Sequence, residues 1–247
     1  MTGTLLNIFT VLLGGTLGLL FGARLPERLK HTVIAGMGLF TLALGVQMFL
    51  ETENPLIVLG ALLIGALLGE GGQIEERLQR LGRGLEERFT RDPEPVSLPT
   101  GESSPKGTSD SHFVRGFLTA SLLFCVGPMT ILGSIQDGLT GDYQLLAVKS
   151  VLDGFASLAF ASTLGVGVLF STLVILVFQG GISLMAAGLS VLVTETMLNE
   201  MTATGGVILM VLAVSSLLEI KKIRAGNFLP ALAVAPLIVW VLGWLQR

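Results

Sequence analysis

The segment from Tyr143 to Val193 carries only two charged residues, Lys149 and Asp153, over about 50 residues. A single α-helix of that length would measure about 75 Å at about 1.5 Å per residue, whereas the hydrocarbon core of a bilayer is about 30 Å thick. The segment is therefore expected to cross a membrane twice and to turn at residues 165–167, which read Gly-Val-Gly. A chain with such a segment does not fold as a water-soluble globular protein.

The composition agrees with a membrane protein. Hydrophobic residues make up 51% of the 247 residues and charged residues 13%, about half the charged share of a typical soluble domain. The single cysteine, Cys125, excludes a disulfide-linked secreted scaffold, and the net charge of −3 gives no reason to expect nucleic-acid binding. The lipid bilayer is the expected partner of one membrane domain that covers residues 1–247.

Hydropathy predicts an all-α fold, a polytopic bundle of about eight transmembrane helices. The spans are placed at about residues 4–22, 32–50, 55–70, 113–135, 144–165, 167–187, 203–219 and 228–245. Residues 1–71 hold spans 1–3, and residues 113–247 hold spans 4–8. Asn227 and Pro230 are expected to start span 8, as its N-cap and as a residue of its first turn.

Residues 72–112 form the one long polar segment. Over residues 73–91, apolar residues recur every three or four positions and form one stripe on a helix; they are Ile74, Leu78, Leu81, Leu85 and Phe89. We expect an amphipathic helix on the cytoplasmic face of the membrane, followed by a disordered linker at residues 92–111.

The basic residues indicate the orientation. Thirteen of the fifteen Lys and Arg residues follow span 1, lie between spans 3 and 4 or at the entry to span 4, or lie between spans 7 and 8. In an eight-span bundle these segments share one side. The loops expected on the other side, at residues 51–54, 136–142 (with Asp137) and 188–202, contain acids and no Lys or Arg. By the positive-inside rule, the basic segments are cytoplasmic and both termini are outside.

An inverted repeat is a further hypothesis about the fold. Residues 38–51 align without gaps with residues 206–219, with five identical pairs among fourteen positions. Because spans 1 and 6 start on opposite sides, spans 1–3 and 6–8 would form an inverted repeat around a central helix pair, spans 4 and 5. Such repeats are typical of secondary transporters. The alternative is a chance match, since apolar sequences resemble one another easily.

Lys149 and Asp153 are the strongest candidates for a functional site. Their spacing of four residues puts both on one face of span 5, and Asp153 falls about 14 Å into that span, near the bilayer centre. A charged side chain there costs at least about 2.5 kcal/mol, so it must face protein or a water-filled cavity. Two interpretations remain open. The pair binds a transported ion or solute, or it neutralises itself and only fixes helix packing.

Other polar or helix-breaking residues lie inside the spans. Gly127 and Pro128 are expected to kink or unwind span 4, which either exposes backbone groups to a solute or only shapes the packing. Asn7, Gln47 and Gln179 lie in spans 1, 2 and 6. Each of them lines a polar path or bonds to a neighbouring helix.

Small residues recur every four positions in two spans, which predicts close helix packing either within the bundle or at the face of a homo-oligomer. They are Gly14, Gly18 and Gly22 in span 1 and Ala61, Gly65 and Gly69 in span 3.

The sequence has no Gly-Lys-Ser/Thr phosphate loop and no His-Glu-x-x-His metal site. We therefore expect neither an enzyme nor a cofactor or metal site.

Two function classes remain. The first is a secondary transporter or channel for a small ion or polar solute, with the intramembrane polar residues as its pathway. The second is a non-transporting membrane scaffold or regulator that docks partners through the helix at residues 73–91. The buried charge pair and the internal repeat favour transport.

Several motifs resemble the YdfK/YqgA family of bacterial membrane proteins. They are Thr4-Leu5-Leu6-Asn7 with the spaced glycines that follow it, Leu25-Pro26-Glu27-Arg28, the runs at residues 120–129 and 131–139, Lys149-Ser150-x-x-Asp153-Gly154 and Asn227-x-Leu229-Pro230. The resemblance covers nearly the whole chain outside residues 92–111 and implies a multi-pass protein of the bacterial inner membrane. The family is one of unknown function, so the resemblance implies no substrate and no catalytic residues.

Overall fold

The computed structural model describes residues 1–22, 24, 26–89, 112–188 and 193–245, and the regular elements in these ranges are all helical. The α-helices are α1 (Thr2–Gly22), α2 (Glu27–Phe49), α3 (Pro55–Gly72), α4 (Ile74–Phe89), α5 (His112–Cys125), α6 (Pro128–Thr140), α7 (Gln144–Leu164), α8 (Gly167–Leu184), α9 (Glu195–Leu212) and α10 (Ala231–Leu245). A π-helical turn, Ala213–Leu217, extends α9, and a 3₁₀ helix, Ala225–Phe228, precedes α10.

Seven helices in the described ranges are long and apolar enough to cross a membrane. They are α1, α2, α3, α7, α8, α9 with its π-helical turn, and α10 with the 3₁₀ helix that precedes it. An eighth candidate is the pair formed by α5 and α6, which is bent by 63°. The predicted all-α, polytopic fold is therefore confirmed.

The bent pair follows α8 from one end to the other. A β-carbon at Gly167, the first residue of α8, would lie 2.0 Å from the carbonyl oxygen of Phe113 at the start of α5. A β-carbon at Gly138, near the end of α6, would lie 2.1 Å from the carbonyl oxygen of Ser183 near the end of α8. Both contacts run in the same order along the two segments, so α5 and α6 together make one crossing parallel to α8. This geometry fits eight spans.

The glycine stripe of α1 packs against α7. β-Carbons at Gly14, Gly18 and Gly22 would lie 2.0, 2.2 and 2.4 Å from the carbonyl oxygens of residues 154, 158 and 162. The two backbones therefore touch at three points over about two helical turns, which only glycine permits. The contacts also run in the same order on both helices, so α1 and α7 are parallel, as spans 1 and 5 of one bundle must be.

The small-residue stripe of α3 is also used inside the chain. A β-carbon at Gly65 would lie 2.5 Å from the backbone nitrogen of Ala231, and one at Gly69 would lie 1.9 Å from the carbonyl oxygen of Asn227. Ala61 belongs to the same small core with Ala231. Both stripes therefore join helices within the bundle, and neither face is left open for the homo-oligomer that the sequence suggested.

The helices that an inverted repeat would relate are packed in antiparallel pairs. Met1 and Thr4 of α1 lie beside Gly180 of α8, while Gly15 lies against Leu169 at the other end of that helix. The pair α2 and α9 is antiparallel in the same way, because residues 38 and 45 of α2 meet residues 217–218 and 206 respectively. The pair α3 and α10 is also antiparallel, because Gly60 lies near Ile238 and Gly65 lies near Ala231. Antiparallel pairing is what such a repeat requires, but the repeat itself stays a prediction.

The amphipathic helix forms as α4, and its apolar stripe packs on the protein. Leu85 lies against the core formed by Phe113, Val114 and Phe117 of α5, and a β-carbon at Gly82 would lie 3.3 Å from the Phe117 ring. Leu81 in the middle of the stripe remains 53% exposed. The predicted disordered linker at residues 92–111 lies outside the described residues.

Asn227 differs from its expected role as the N-cap of the last span. Its Oδ1 accepts a hydrogen bond from the backbone N–H of Glu75 at 2.8 Å, so it caps the first turn of α4 instead. Its Nδ2 donates to Glu70 at the end of α3, which also forms a 2.7 Å ion pair with Arg224. The side chain is free to do this because the chain passes through a 3₁₀ helix at Asn227 and α10 begins only at Ala231.

Span 7 begins eight residues earlier than hydropathy predicts, at Glu195 rather than 203. Thr194 caps the helix by accepting the N–H of Met197 at 3.3 Å. Glu200, expected in a loop, is fully buried inside α9. Its carboxylate accepts hydrogen bonds from the Thr52 hydroxyl at 2.7 Å and from the backbone N–H groups of residues 53 and 54 at 2.8 and 2.9 Å. These bonds hold the loop between α2 and α3 against α9.

Replacing Glu200 with alanine should lower the free energy of unfolding by on the order of 3 kcal/mol, because three donors in partly buried hydrogen bonds lose the carboxylate that accepts from them. Thermal unfolding of the purified protein in detergent measures the change. The matched control is Glu195→Ala, which removes an exposed carboxylate from the same helix and should change the melting temperature by much less. Equal effects of the two substitutions would contradict a capping role for Glu200.

Candidate functional site

Four polar side chains meet inside the bundle, between α1, α7 and α8. The Nζ of Lys149 donates to Asp153 Oδ2, and the Nδ2 of Asn7 donates to the same oxygen at 3.0 Å. The Asn7 Nδ2 also donates to Gln179 Oε1 at 3.0 Å. All four side chains are buried. We call Asn7, Lys149, Asp153 and Gln179 the polar cluster.

The helix packing brings these residues together. The contact of Gly14 with Gly154 fixes the register of α1 on α7, and the Ser157 hydroxyl donates to the carbonyl oxygen of Val11 at 2.8 Å in the same interface. Asn7 lies two turns before Gly14 and so faces the first half of α7, where Lys149 and Asp153 lie. The cluster is therefore a product of the glycine contact, which draws α1 close enough for a short amide side chain to reach the carboxylate.

The cluster lies deep in the bundle. Asp153 is nine residues after the start of α7, which places it about 14 Å into a helix of 21 residues and near the middle of a bilayer about 30 Å thick. The sequence predicts a paired, protein-facing carboxylate at this position, and the structure shows one. The charges of Lys149 and Asp153 balance each other, and the amide of Asn7 adds a second hydrogen bond to the Asp153 carboxylate.

The amides of the cluster keep unused hydrogen-bonding atoms. A carboxylate only accepts, so Asn7 must turn its Nδ2 toward Asp153, and Gln179 must then turn its Oε1 toward the same Nδ2. This leaves the Oδ1 of Asn7 and the Nε2 of Gln179 buried, with no hydrogen-bond partner among the described residues. The cluster therefore offers one acceptor and one donor to a polar ligand.

The predicted break in span 4 is present and lies beside the cluster. Gly127 adopts φ +154°, a conformation that favours glycine, and α6 begins at the next residue. Cys125 and Gly127 line a cavity of about 20 Å³ together with Phe178 of α8 and Met201 of α9, which is room for about one water molecule. Because Phe178 directly precedes Gln179, the break and the cluster lie at the same level on adjacent faces of α8.

Some of the backbone carbonyl groups at the break accept hydrogen bonds from a residue of the same segment. The Thr130 hydroxyl donates to the carbonyl oxygen of Phe124 at 3.3 Å, and the Thr130 N–H donates to that of Gly127 at 3.2 Å. These bonds replace some of those that the interrupted helix loses. Thr130 is fully buried, and no sequence pattern marked it for this role.

Gln47 lies apart from the other candidates. It is exposed on the surface of α2, because that helix turns its residues Thr41, Gly45 and Met48 toward the bundle. Gln47 is also only two residues from the end of α2 at Phe49. The structure therefore groups Asn7, Lys149, Asp153 and Gln179, places the break of span 4 next to them, and leaves Gln47 outside.

Asp137 and two hydroxyl residues are additions that the sequence did not identify. Asp137, expected in a loop, is buried in α6, where its Oδ2 accepts the N–H of Gly3 at 3.1 Å and pairs with the Met1 amino group at 3.0 Å. Thr4 and Ser183 are buried one turn from Asn7 and Gln179. Their spacing of three and four residues from those amides is the signal that would have placed them on the same helix faces.

Comparisons with known proteins identify the family. Residues 2–240 match a family described as "Protein of unknown function (DUF554)". The chain is 30% identical over 246 residues to "Uncharacterized membrane protein YdfK" of Bacillus subtilis (strain 168), covering 98% of this chain and 97% of that one. It is 32% identical over 234 residues to "Uncharacterized protein YqgA" of Escherichia coli (strain K12), covering 94% of each chain.

No solved structure matches the chain significantly. The family match and both relatives extend over nearly the full length of the chain. The protein therefore belongs to the DUF554 family, whose bacterial relatives YdfK and YqgA are similar to it from end to end.

Proposed function

We propose that the protein moves a small ion or polar solute across the bacterial inner membrane and that the polar cluster is the site at which the solute binds. The observation that carries the proposal is the buried Lys149–Asp153 pair, flanked by two amides that each keep an unused hydrogen-bonding atom. Charges at this depth are costly, and in membrane proteins they mark ion and substrate pathways.

Helix packing alone gives little reason to keep the pair. The contact between α1 and α7 is already made by Gly14, Gly18 and Gly22, whose backbones touch α7 without any polar group. Apolar residues of similar volume at positions 149 and 153 would be neutral or stabilising in a purely structural role. The unused atoms of Asn7 and Gln179 likewise contribute nothing to packing and fit a site that exchanges ligands.

The orientation of the bundle is part of the proposal. The loops with most of the Lys and Arg residues lie in the cytoplasm and both termini lie outside, following the positive-inside rule. An inverted repeat of spans 1–3 and 6–8 around spans 4 and 5 would let the two halves rock about the cluster, which supplies alternating access. The broken span next to Gln179 adds a flexible point at the level of the site.

The test begins with ligand identification. The purified protein is heated with Na⁺, K⁺, Mg²⁺, Cl⁻, amino acids or organic acids, and a ligand of the folded state raises the melting temperature. The same screen is run on the double variant Lys149→Gln/Asp153→Asn. A compound that stabilises the wild type and not this variant is expected, and equal responses of both proteins to every compound would overturn the assignment of the site.

Transport is then measured with that compound in proteoliposomes. We expect flux by the wild type and flux near that of empty liposomes for the double variant. The matched control is Glu76→Gln/Arg80→Gln, because those residues form an exposed i,i+4 pair on α4 at 3.9 Å. Undiminished flux in the cluster variant would contradict the proposal. Loss of flux only in the α4 variant would favour a regulator that acts through that helix.

A further inference from the structure

Five buried polar atoms in one region have no hydrogen-bond partner among the described residues. They are Thr4 Oγ1, Asn7 Oδ1, Asp137 Oδ1, Gln179 Nε2 and Ser183 Oγ. Each of these residues is at most 4% exposed. Burying a polar group without a partner costs about 1–3 kcal/mol, so five together are a large cost unless something binds them.

These atoms form a series from one end of the bundle to the polar cluster. The bond from Gly3 to Asp137 at 3.1 Å places Asp137 beside the first turn of α1. The contact of Gly138 with Ser183 places the end of α8 at the same level. Thr4 Cγ2 lies 3.9 Å from the β-carbon position of Gly180, the neighbour of Gln179.

The series advances in steps of one helical turn. Thr4 lies three residues before Asn7 on α1, and Ser183 lies four residues after Gln179 on the antiparallel α8. Each step is about 4.5–6 Å, a separation that one water molecule bridges between two polar groups. Asp153 lies at the inner end, in contact with Asn7.

We propose that these five groups hold a chain of water molecules along which protons reach Asp153 from the end of the bundle where α1 begins. This inference rests on the proposed function, since it assigns a coupling or transported ion to the same site. Hydroxyl groups both donate and accept, which a proton-conducting chain requires. A metal cation instead needs about six oxygens converging on one point, whereas these atoms are spread over two helical turns and include an N–H donor.

The proton step is simple. A proton passes from a hydronium ion of the chain to the Asp153 carboxylate, which gives a carboxylic acid and a water molecule. Lys149 keeps its ammonium charge and loses its counter-charge. Asn7 of α1 and Gln179 of α8 face the pair as neutral amides, and among the described residues the thiol of Cys125 on α5 is a further titratable group near the pair.

Proton flux into proteoliposomes tests the chain. The vesicles contain a pH-sensitive dye, and a K⁺ gradient with valinomycin makes their interior negative. We expect the wild type to acidify the vesicles faster than empty vesicles acidify. The rates of Thr4→Val and of Ser183→Ala should be lower than the wild-type rate by about tenfold or more. Thr4→Ser, which keeps the hydroxyl, should conduct like the wild type.

Two matched controls have hydroxyls that are buried and already bonded to their own helix. Ser171 of α8 donates to the carbonyl oxygen of Val168 at 2.7 Å, and Thr204 of α9 donates to that of Glu200 at 2.7 Å. Ser171→Ala and Thr204→Val should therefore leave proton flux unchanged. Gel filtration and melting temperature establish that each variant is folded. Ser183→Ala is the smallest change, so it keeps the test decisive if Thr4→Val does not fold.

Two results would overturn the water chain. One is an absence of proton flux in the wild type both with and without the solute that the melting-temperature screen identifies, and the other is wild-type flux in both Thr4→Val and Ser183→Ala. The flux of the solute that the melting-temperature screen identifies is measured separately in the same vesicles, so either result can be compared with it. Solute flux that persists without proton flux would refute the chain and retain the transport proposal.

Discussion

Replacing Asp153 with asparagine should lower the free energy of unfolding by about 3–5 kcal/mol, because the substitution leaves the Lys149 ammonium buried without its counter-charge. The two side chains are only 11% and 8% exposed, so water screens little of this cost. Thermal or denaturant-induced unfolding of the purified protein measures the change. The same loss is expected for Lys149→Gln, which leaves the carboxylate unpaired instead.

The double variant Lys149→Gln/Asp153→Asn separates charge balance from function. It restores neutrality, and the amide oxygen at position 153 still accepts the N–H of Asn7, so its stability should return to within about 1 kcal/mol of the wild type. Flux should stay absent, because the charges that would bind the solute are gone. A double variant as unstable as the single ones would contradict this account of the pair.

The all-helical fold and the number of candidate spans were predictable because lipid imposes one strong rule. Backbone groups in hydrocarbon must bond within their own segment, so a long apolar run is a helix and its ends are set by bilayer thickness. The turn at residues 165–167 and the parallel directions of α1 and α7 follow from this rule and from the three crossings that lie between these two helices. No knowledge of tertiary contacts was needed.

The boundaries near charged residues were not predictable in the same way. Hydropathy counts Glu200 as a cost and ends the span before it, yet the structure buries Glu200 completely. The compensation comes from Thr52 and the backbone at residues 53 and 54, which are 146 to 148 positions away in the sequence. A window of local sequence cannot include such partners. Asp137 was misplaced for the same reason, since its partner is the start of α1.

The candidate site could be found only in part. Lys149 and Asp153 stand out because a charge inside a span is too costly to be incidental. Thr4 and Ser183 do not stand out, because a hydroxyl in a helix usually bonds to its own backbone, as Ser171 does. Whether a given serine does so depends on the neighbouring helix, which sequence alone leaves undefined.

The second large effect is expected at Gly14, where α1 and α7 touch. A β-carbon there would lie 2.0 Å from the carbonyl oxygen of Gly154, and backbone cannot move aside as a flexible side chain can. Gly14→Ala should therefore force the two helices apart and lower the free energy of unfolding by about 3 kcal/mol. Melting temperature in detergent gives the measurement.

Gly181→Ala is the matched control, because the same methyl group on α8 would meet nothing within 4 Å and alanine favours a helix by up to about 1 kcal/mol over glycine. Its melting temperature should equal or exceed that of the wild type. Separation of α1 from α7 also lengthens the 3.0 Å bond between Asn7 and Asp153, so Gly14→Ala should reduce flux at temperatures where the variant is still folded. Normal stability and flux would show that α1 and α7 tolerate a wider spacing and that the glycine contact does not hold the polar cluster together.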